Sequence, residues 1–191
     1  MEKRKLILGA SLVRFSQYGL RKTSMQDIAE KAGISRASIY CYFKNKDEIF
    51  RCVSIDVHEE AFRNASNRLE DVTQGNLSSR LADALFARHG RFLSLVLDSP
   101  QGAELEDEYG RLCGDVVSAY SKKFNDQLVL SIEAAAGAGQ LDLAGHGLSA
   151  ERLATVLNLS AAGCKRGCTN MSEYHERIVD LVYLLIGGAR G

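Results

Sequence analysis

The stretch SMQDIAEKAGISRASIYCYF, residues 24–43, decides the fold of the N-terminal part of this chain. Ser24 can cap the free amides at the start of a helix, and Asp27 follows three residues later in a near capping-box arrangement. The apolar residues then recur at helical spacing, at Met25, Ile28, Ala29 and Ala32. Gly33 is a residue that commonly ends a helix. The stretch therefore begins with a short, capped, amphipathic helix.

A second short helix is predicted directly after this one. Ser35 can cap it, and Ile39 and Phe43 can pack back on the first helix. Two short capped helices joined by a Gly-Ile-Ser turn and preceded by a supporting helix have helix-turn-helix geometry. From Arg36 to about Phe43 the helix would span about 12 Å, which is close to the width of the B-DNA major groove.

The first turn of this predicted recognition helix has residues suited to DNA bases. Arg36 can donate hydrogen bonds to guanine or to phosphate. Ala37 and Ser38 are small, so the backbone could approach the base edges closely. We therefore expect these three residues to face the bases.

Three residues further on are suited to the phosphate backbone. Tyr40 and Tyr42 carry hydroxyl groups that can bind phosphate oxygens at the groove edge. Lys46 combines its charge with the N-terminus of the next helix, and both attract phosphate. Taken singly, Tyr40 could instead be a core aromatic residue and Lys46 an ordinary solvated lysine. Their clustering with the helix caps and the turn favours DNA binding.

The same residues resemble those of the TetR family of transcriptional regulators. The resemblance runs without a gap from residue 7 to about residue 52, through Tyr18-Gly19, the run from Thr23 to Ser35 and the run from Ile39 to Ile49. It implies that Arg36 to Ser38 face the bases and that Tyr40, Tyr42 and Lys46 contact phosphates. The predicted DNA-binding set is Thr23, Ser24, Arg36, Ala37, Ser38, Tyr40, Tyr42 and Lys46. Arg14 departs from the family, which usually has an apolar residue there, and the departure concerns only the packing of the first helix.

The rest of the chain also reads as helical, which predicts an all-α protein. A first helix from about Lys3 to Gln17 ends at Tyr18-Gly19, and Asn45 caps a fourth that runs to about Leu69. The later predicted helices are Leu77 to Leu97, Glu104 to about Ala138 with a possible interruption near Gly110 or Gly114, Ala150 to Lys165, and Glu173 to Ile186. We assign residues 1–52 to a three-helix DNA-binding domain and 53–191 to a helical ligand-binding and dimerisation domain.

The distribution of charge agrees with this division. The 191 residues have no formal net charge, but residues 1–52 contain 11 Lys or Arg against 5 Asp or Glu. A basic head on an acidic body fits a nucleic-acid-binding module attached to a part that does not touch nucleic acid. The apolar stretch after the first charged residues is interrupted by polar residues, so we expect no signal peptide, no membrane span and a cytoplasmic protein.

The resemblance further implies that the body binds a small effector and dimerises through its last two long helices. A homodimer would place two recognition helices about 34 Å apart on palindromic double-stranded DNA. Effector binding would then release a repressor from its operator. The candidate effector residues are Phe62, His89, Phe92, Cys113, Tyr120 and Phe124, and ordinary core packing is the competing interpretation for each. We expect the basic patch Arg88-His89-Gly90-Arg91 to face solvent.

The last predicted helix is apolar over a wide arc, more than a lone surface helix needs. Small residues in the preceding helix would permit close helix approach. The candidate dimerisation residues are Ala162, Gly163, Ile178, Leu181, Val182 and Leu185. Burial in the core of a single chain is the alternative.

Two other function classes stay open at this point. The five cysteines lack paired C-x-x-C spacing, and the histidines, including His146 in a glycine-rich loop, have no motif spacing to Cys164 and Cys168. We therefore expect no metal, no cofactor and no thiol-dependent enzyme. Lys165 and Arg166 could lower the pKa of the neighbouring thiols, as in a regulator controlled by cysteine oxidation. Control by protein partners without a small ligand is the other alternative.

Overall fold

The computed structural model describes residues 2–71, 75–145 and 147–187, and His146 lies outside these ranges. Within them the chain forms eight α-helices and no β-strand, which confirms the all-α prediction. The helices are α1 Glu2–Lys22, α2 Met25–Ala32, α3 Arg36–Tyr40, α4 Lys46–Glu70, α5 Leu77–Leu97, α6 Gly102–Gly137, α7 Ala150–Cys164 and α8 Met171–Gly187. None of the helices in the described ranges is long and apolar enough to cross a membrane.

The local sequence patterns place α2 and α4 where they were predicted. At α2 the Ser24 hydroxyl accepts the Asp27 amide at 3.2 Å, and the Asp27 carboxylate accepts the Ser24 amide at 2.7 Å. The hydrogen bonds from Ser24 lower the pKa of Asp27, since they favour its charged form. Gly33 ends α2 in the left-handed conformation with φ 66°, which costs glycine little. At α4 the Asn45 side chain caps the Glu48 amide at 2.8 Å.

Two predicted helix boundaries are wrong. Helix α3 ends at Tyr40 rather than near Phe43, because the amides of both Tyr42 and Phe43 bond to the carbonyl of Ile39 and close a turn. Helix α6 is continuous from Gly102 to Gly137, with no interruption near Gly110 or Gly114. Each of these interior glycines costs roughly 1 kcal/mol of helix propensity, which the buried face of α6 outweighs.

Helix α1 has one break in its backbone. Gly19 adopts φ 81° and ψ 166°, outside the helical region, although helical hydrogen bonding resumes as far as Lys22. A side chain at position 19 would also meet the Glu104 carboxylate, since a Cβ there would lie 2.6 Å from its Oε2 atom. The positive φ therefore favours glycine here, and any side chain at this position would also displace the Glu104 carboxylate.

The chain divides into two compact units. The first joins Met1–Val57 with Ser94–Val117, and the second joins His58–Leu93 with Ser118–Gly191. Helices α4, α5 and α6 contribute residues to both units. The division into functional domains at residue 52 stays a prediction.

The first unit has an apolar core under the helix-turn-helix. Phe15 and Phe50 pack edge to face with their ring centroids 5.6 Å apart, and Ile28, Ile39 and Phe43 are almost fully buried. Arg14 is accommodated at the surface of this core, because its Nε donates to the Asp27 carbonyl at 3.3 Å and its guanidinium lies over the Tyr18 ring. The departure from the family at this position therefore does not disturb α1.

The second unit buries a mixed core. The largest fully buried apolar side chains include Leu81, Leu85, Phe124 and Leu128. Tyr174 is also fully buried, and its hydroxyl donates to the Ala161 carbonyl at 3.1 Å, which joins α8 to α7.

Candidate nucleic-acid interface

The recognition helix α3 presents its first turn to solvent. The side chains of Arg36 and Ala37 are exposed and that of Ser38 is half-buried, while Ile39 is completely buried beneath them. Ser35 holds the start of the helix, since its Oγ accepts the Ser38 amide at 3.1 Å and lies 2.8 Å from the Ser38 Oγ. This five-residue helix can therefore offer its N-terminal side chains to a groove without losing its packing.

The two tyrosines also lie at the surface. Tyr40 is 47% exposed and Tyr42 is 41% exposed, so neither is a core aromatic residue. Arg36 folds over Tyr40, with its Nη2 3.3 Å from the phenolic oxygen and its guanidinium 5.7 Å from the ring centroid. Arg36 and Tyr40 thus form one exposed cluster, and Tyr42 lies just beyond the end of α3.

The Lys46 side chain is hydrogen-bonded to the backbone rather than only solvated. Its Nζ donates to the carbonyls of Leu20 and Arg21 at 2.8 Å each and of Thr23 at 3.1 Å. These three bonds match the three donors of an ammonium group and cap the C-terminal end of α1. Lys46 therefore connects the start of α4 to the segment that precedes the helix-turn-helix.

Thr23 and Ser24 lie at that junction with different exposures. Thr23 is buried, and its hydroxyl donates to the Gly19 carbonyl at 2.6 Å. Ser24 is exposed at the N-terminus of α2, where it is engaged in the capping box. A DNA contact by Thr23 would have to come from its backbone rather than its hydroxyl.

Residues that the sequence does not single out hold this end of α1 in place. Arg21 donates from its backbone to Glu104 at 2.8 Å and from its Nε to Glu108 at 2.9 Å. Glu108 is buried, and its hydrogen bonds with Arg111 and Arg21 lower its pKa. Arg51 similarly forms a bidentate pair with Asp115, at 2.8 and 2.7 Å. The pairs made by Arg21 and Arg51 join positions 64 or more residues apart, so no local pattern could have revealed them.

The candidate effector residues do not form a single cluster. Cys113 is fully buried in the first unit, where burial raises the pKa of its thiol. The other five belong to the second unit, where Phe62 lies 6.4 Å from Tyr120 and His89 lies 6.2 Å from Phe124 between ring centroids. None of the six lines either of the two clefts described for the second unit.

The expectation that the patch around His89 faces solvent is wrong for its central residues. Arg88 is 4% exposed and His89 is 7% exposed. His89 Nε2 lies 2.9 Å from Asn158 Oδ1, and Arg88 Nη1 lies 3.1 Å from His58 Nδ1. Helical periodicity turns these residues inward, where polar partners from α4 and α7 replace water.

The candidate dimerisation residues fall on two faces. Ile178 and Val182 are buried within the single chain, Leu181 and Leu185 are half-buried, and Ala162 and Gly163 are exposed. A different set of large apolar side chains on the same two helices faces outward. These are Val156, Leu159, Val179, Tyr183 and Leu184. The sequence pattern predicts that both helices have apolar faces, but it does not show which apolar side chains remain exposed in the folded chain.

The thiols of Cys164 and Cys168 lack the features of a reactive centre. Burial raises the pKa of Cys164, although Arg177 acts in the opposite direction. Cys168 is buried, and its Sγ lies 3.1 Å from the Cys164 carbonyl oxygen. Over the described residues no group of three or more His, Cys, Asp or Glu side chains could hold a metal ion.

The fold and this site define a class of protein, one with a helix-turn-helix DNA-binding domain followed by a helical body. The profile described as "Bacterial regulatory proteins, tetR family" matches residues 7–53. The match is confined to this N-terminal segment, which resembles the DNA-binding part of that family.

Known proteins resemble the chain in sequence over its N-terminal part and in fold over nearly its whole length. The uncharacterized HTH-type transcriptional regulator YhgD of Bacillus subtilis is 33% identical over 70 residues, which cover 37% of this chain and 37% of YhgD. The match thus spans little more than a third of that relative. The family and this relative are regulators of transcription rather than enzymes, in agreement with our prediction.

Two solved structures extend the likeness to the whole fold. A transcriptional regulator from Cytophaga hutchinsonii superposes with a TM-score of 0.81 over 100% of both chains, at 18% identity. The complex of SmeT with triclosan has a TM-score of 0.67 at 18% identity and covers 96% of this chain and 91% of SmeT. SmeT is the repressor of the multidrug efflux pump SmeDEF of Stenotrophomonas maltophilia. At these identities the similarity shows the fold alone.

Proposed function

We propose that the chain is a cytoplasmic TetR-type repressor that binds a palindromic operator as a homodimer and is released by a small-molecule effector. The observation that carries the DNA-binding part is the exposed first turn of α3, held by the Ser35 cap and flanked by two exposed tyrosines. Arg36, Ala37 and Ser38 would read the bases. Tyr40 and Tyr42 would bind phosphates.

Lys46, Thr23 and Ser24 complete the proposed DNA-binding set. Because Lys46 already donates three hydrogen bonds, its main proposed contribution is positive charge beside the phosphates and a fixed position of α1. Thr23 and Ser24 would contact phosphate at the N-terminus of α2, where free amides favour anions.

Binding to duplexes selected from a random-sequence library tests this proposal. We expect Arg36→Ala to change base preference, with discrimination at one position reduced by about 1–3 kcal/mol. Tyr42→Phe should weaken binding to all duplexes alike by about 1 kcal/mol. Lys46→Ala should reduce the slope of log affinity against log salt by about one. Fluorescence anisotropy at several salt concentrations measures all three effects.

Tyr18→Phe is the matched control, because Tyr18 is 49% exposed on α1 and lies outside the proposed set. It should leave DNA affinity unchanged. If Tyr42→Phe and Tyr18→Phe weakened binding equally, the phosphate role of Tyr42 would be wrong.

The homodimer is proposed from the uncovered apolar arc on α7 and α8. Leu159, Tyr183 and Leu184 are 65%, 71% and 74% exposed, and exposed apolar clusters of this kind mark interfaces. Ala162 and Gly163 are exposed on the same helix as Leu159, where they would allow close approach. Leu181 and Leu185 would lie at the edge, whereas Ile178 and Val182 would support the interface from within the chain.

Light scattering after size-exclusion chromatography tests the dimer. Leu184→Asp should raise the dimer dissociation constant roughly thirtyfold, or about 2 kcal/mol, as expected for a central interface leucine. Leu130→Asp is the control, since Leu130 on α6 is 66% exposed and lies outside the apolar arc on α7 and α8. A wild-type chain that runs as a monomer at micromolar concentration would contradict the proposal.

Release by an effector is supported by the precedent of a structural neighbour that binds triclosan. Phe62, His89, Phe92, Tyr120 and Phe124 remain candidates to line an effector site that opens within the second unit, and Cys113 remains one in the first. Control by cysteine oxidation is less well supported, because burial raises the pKa of Cys164 and Cys113 and so favours the unreactive thiol.

A further inference from the structure

We propose that a cleft beside Arg80, separate from the effector residues predicted from the sequence, is an effector site and that it binds an amphipathic monocarboxylate. This inference rests on the proposed function, since it assigns the ligand class of the proposed effector. The cleft has a volume of about 380 Å³ and lies within the second unit. It is bordered by the end of α4, the start of α5 and the last three turns of α6.

Arg80 is the feature that points to an anion. It is 9% exposed, yet it lines the cleft. Its Nε atom is buried and has no hydrogen-bond partner among the described residues. A buried guanidinium with an unpaired donor is costly, and a carboxylate is the group that satisfies it best because it accepts two parallel hydrogen bonds.

The walls of the cleft supply the apolar part of the site. They are formed by Leu69, Leu130, Ala134, Ala135 and Ala138. The volume corresponds to roughly a dozen groups of the size of a water molecule, at about 30 Å³ each. It lies near the lower end of the range for small-molecule pockets. A carboxylate on a short alkyl chain therefore matches both the charge and the size.

Among the described residues that line the cleft, Arg80 carries the only positive charge, so it is the group that attracts an anion. Gln127 accepts from Ser66 at 2.7 Å and donates to Glu70 at 3.4 Å, so its amide is already engaged. Glu70 carries a negative charge on the rim of the same cleft, but no described ion pair joins it to Arg80. Glu70 should therefore weaken the binding of any anion.

Calorimetric titration of the full chain with octanoate, octan-1-ol and octylammonium tests the site. Octanoate should bind, and octan-1-ol and octylammonium should bind at least about tenfold more weakly, because they lack the charge that pairs with Arg80. Arg80→Met should weaken octanoate binding by about tenfold or more, and Arg80→Lys by less. Glu70→Gln should strengthen it by about twofold to fivefold.

Arg152→Met is the matched control, because Arg152 is an exposed arginine of the same unit that does not line the cleft. It should leave octanoate binding unchanged. Should Arg80→Met fail to fold, Ala134→Phe fills the cleft from an exposed position of α6 and should also abolish binding. Ala119→Phe, at another exposed position of α6, should not.

Equal binding of octanoate and octan-1-ol, or full retention of octanoate by Arg80→Met and Ala134→Phe, would overturn the proposal. The titration contains no DNA, so it is independent of DNA binding. A chain that binds DNA but not octanoate refutes only the ligand class, whereas one that binds octanoate but no DNA refutes the proposed function.

Discussion

The predicted DNA-binding surface of the first unit and the interior of the second unit use their polar residues in opposite ways. In the first unit Arg36, Tyr40 and Tyr42 are exposed over an apolar core, where a binding partner can reach them. In the second unit His58 and His89 are buried and paired with other buried side chains. An exposed polar group can bind a partner at little cost, whereas a buried one must find its partner inside the protein.

This difference predicts how substitutions in each unit affect binding and stability. Removal of an exposed polar side chain from the first unit should change binding and leave stability nearly unaltered. Removal of one member of the buried network should leave its partner unsatisfied and change stability. Asn158 illustrates this, because it contacts His89 through its oxygen and donates to the Ser121 carbonyl at 3.1 Å, so it joins three helices of the second unit.

Acid should produce the largest difference between the units. Burial, together with the charges of Arg88 and Lys165, lowers the pKa of His58 from 6.5 to about 4. Below pH 6.5 the His58 imidazole therefore binds a proton in the unfolded chain but not in the folded chain. As the pH is lowered, the free energy of unfolding falls until the folded imidazole also titrates near pH 4. We expect a loss of about 3 kcal/mol from this residue over that interval. Urea unfolding at a series of pH values measures it.

His58→Asn should remove that part of the pH dependence, and His89, whose pKa is also lowered by burial, should account for a further part. His175→Asn is the control, because His175 is exposed. Identical pH profiles for His58→Asn and the wild type would show that His58 is not the group that titrates.

Lys46 is an exception to the contrast between exposed polar residues in the first unit and paired ones in the second. It belongs to the first unit, but its Nζ donates three hydrogen bonds within that unit. We expect Lys46→Met to destabilise the chain by about 2 kcal/mol, because charged hydrogen bonds to the end of α1 are lost. Lys44→Met, at an exposed lysine two residues earlier, should change stability by less than about 0.5 kcal/mol. Thermal unfolding of both variants checks this difference, and equal effects would contradict the capping role.

The smallest expected effect concerns the capping box of α2. Ser24→Ala should cost about 1 kcal/mol of stability. Asp27→Ala should cost a similar amount, and the double variant should cost less than the sum because the two side chains bond to each other. Additive effects in denaturant unfolding would show that the two residues act separately.

The parts that were predictable from sequence are those governed by neighbours along the chain. The caps at Ser24 and Asn45 and the turn at Gly33 depend on residues within four positions, and all three lie as predicted. The inward orientation of His89 was missed because its partner Asn158 is 69 residues away. Arg80 was missed for the same reason, since its position in a cleft depends on α4 and α6 as well as on α5.

By itself the sequence determined the helices and the helix-turn-helix, because capping, helix propensity and periodicity act over one or two turns. The resemblance of residues 7–53 to the TetR family is likewise a property of the sequence alone. Only the tertiary structure decided that Lys46 caps α1, that Ile178 and Val182 lie inside while Leu184 lies outside, and that Arg80 borders a cleft. These outcomes depend on which helix faces meet. Helical periodicity shows that an apolar arc exists, but the packing of several helices decides which part of it is covered.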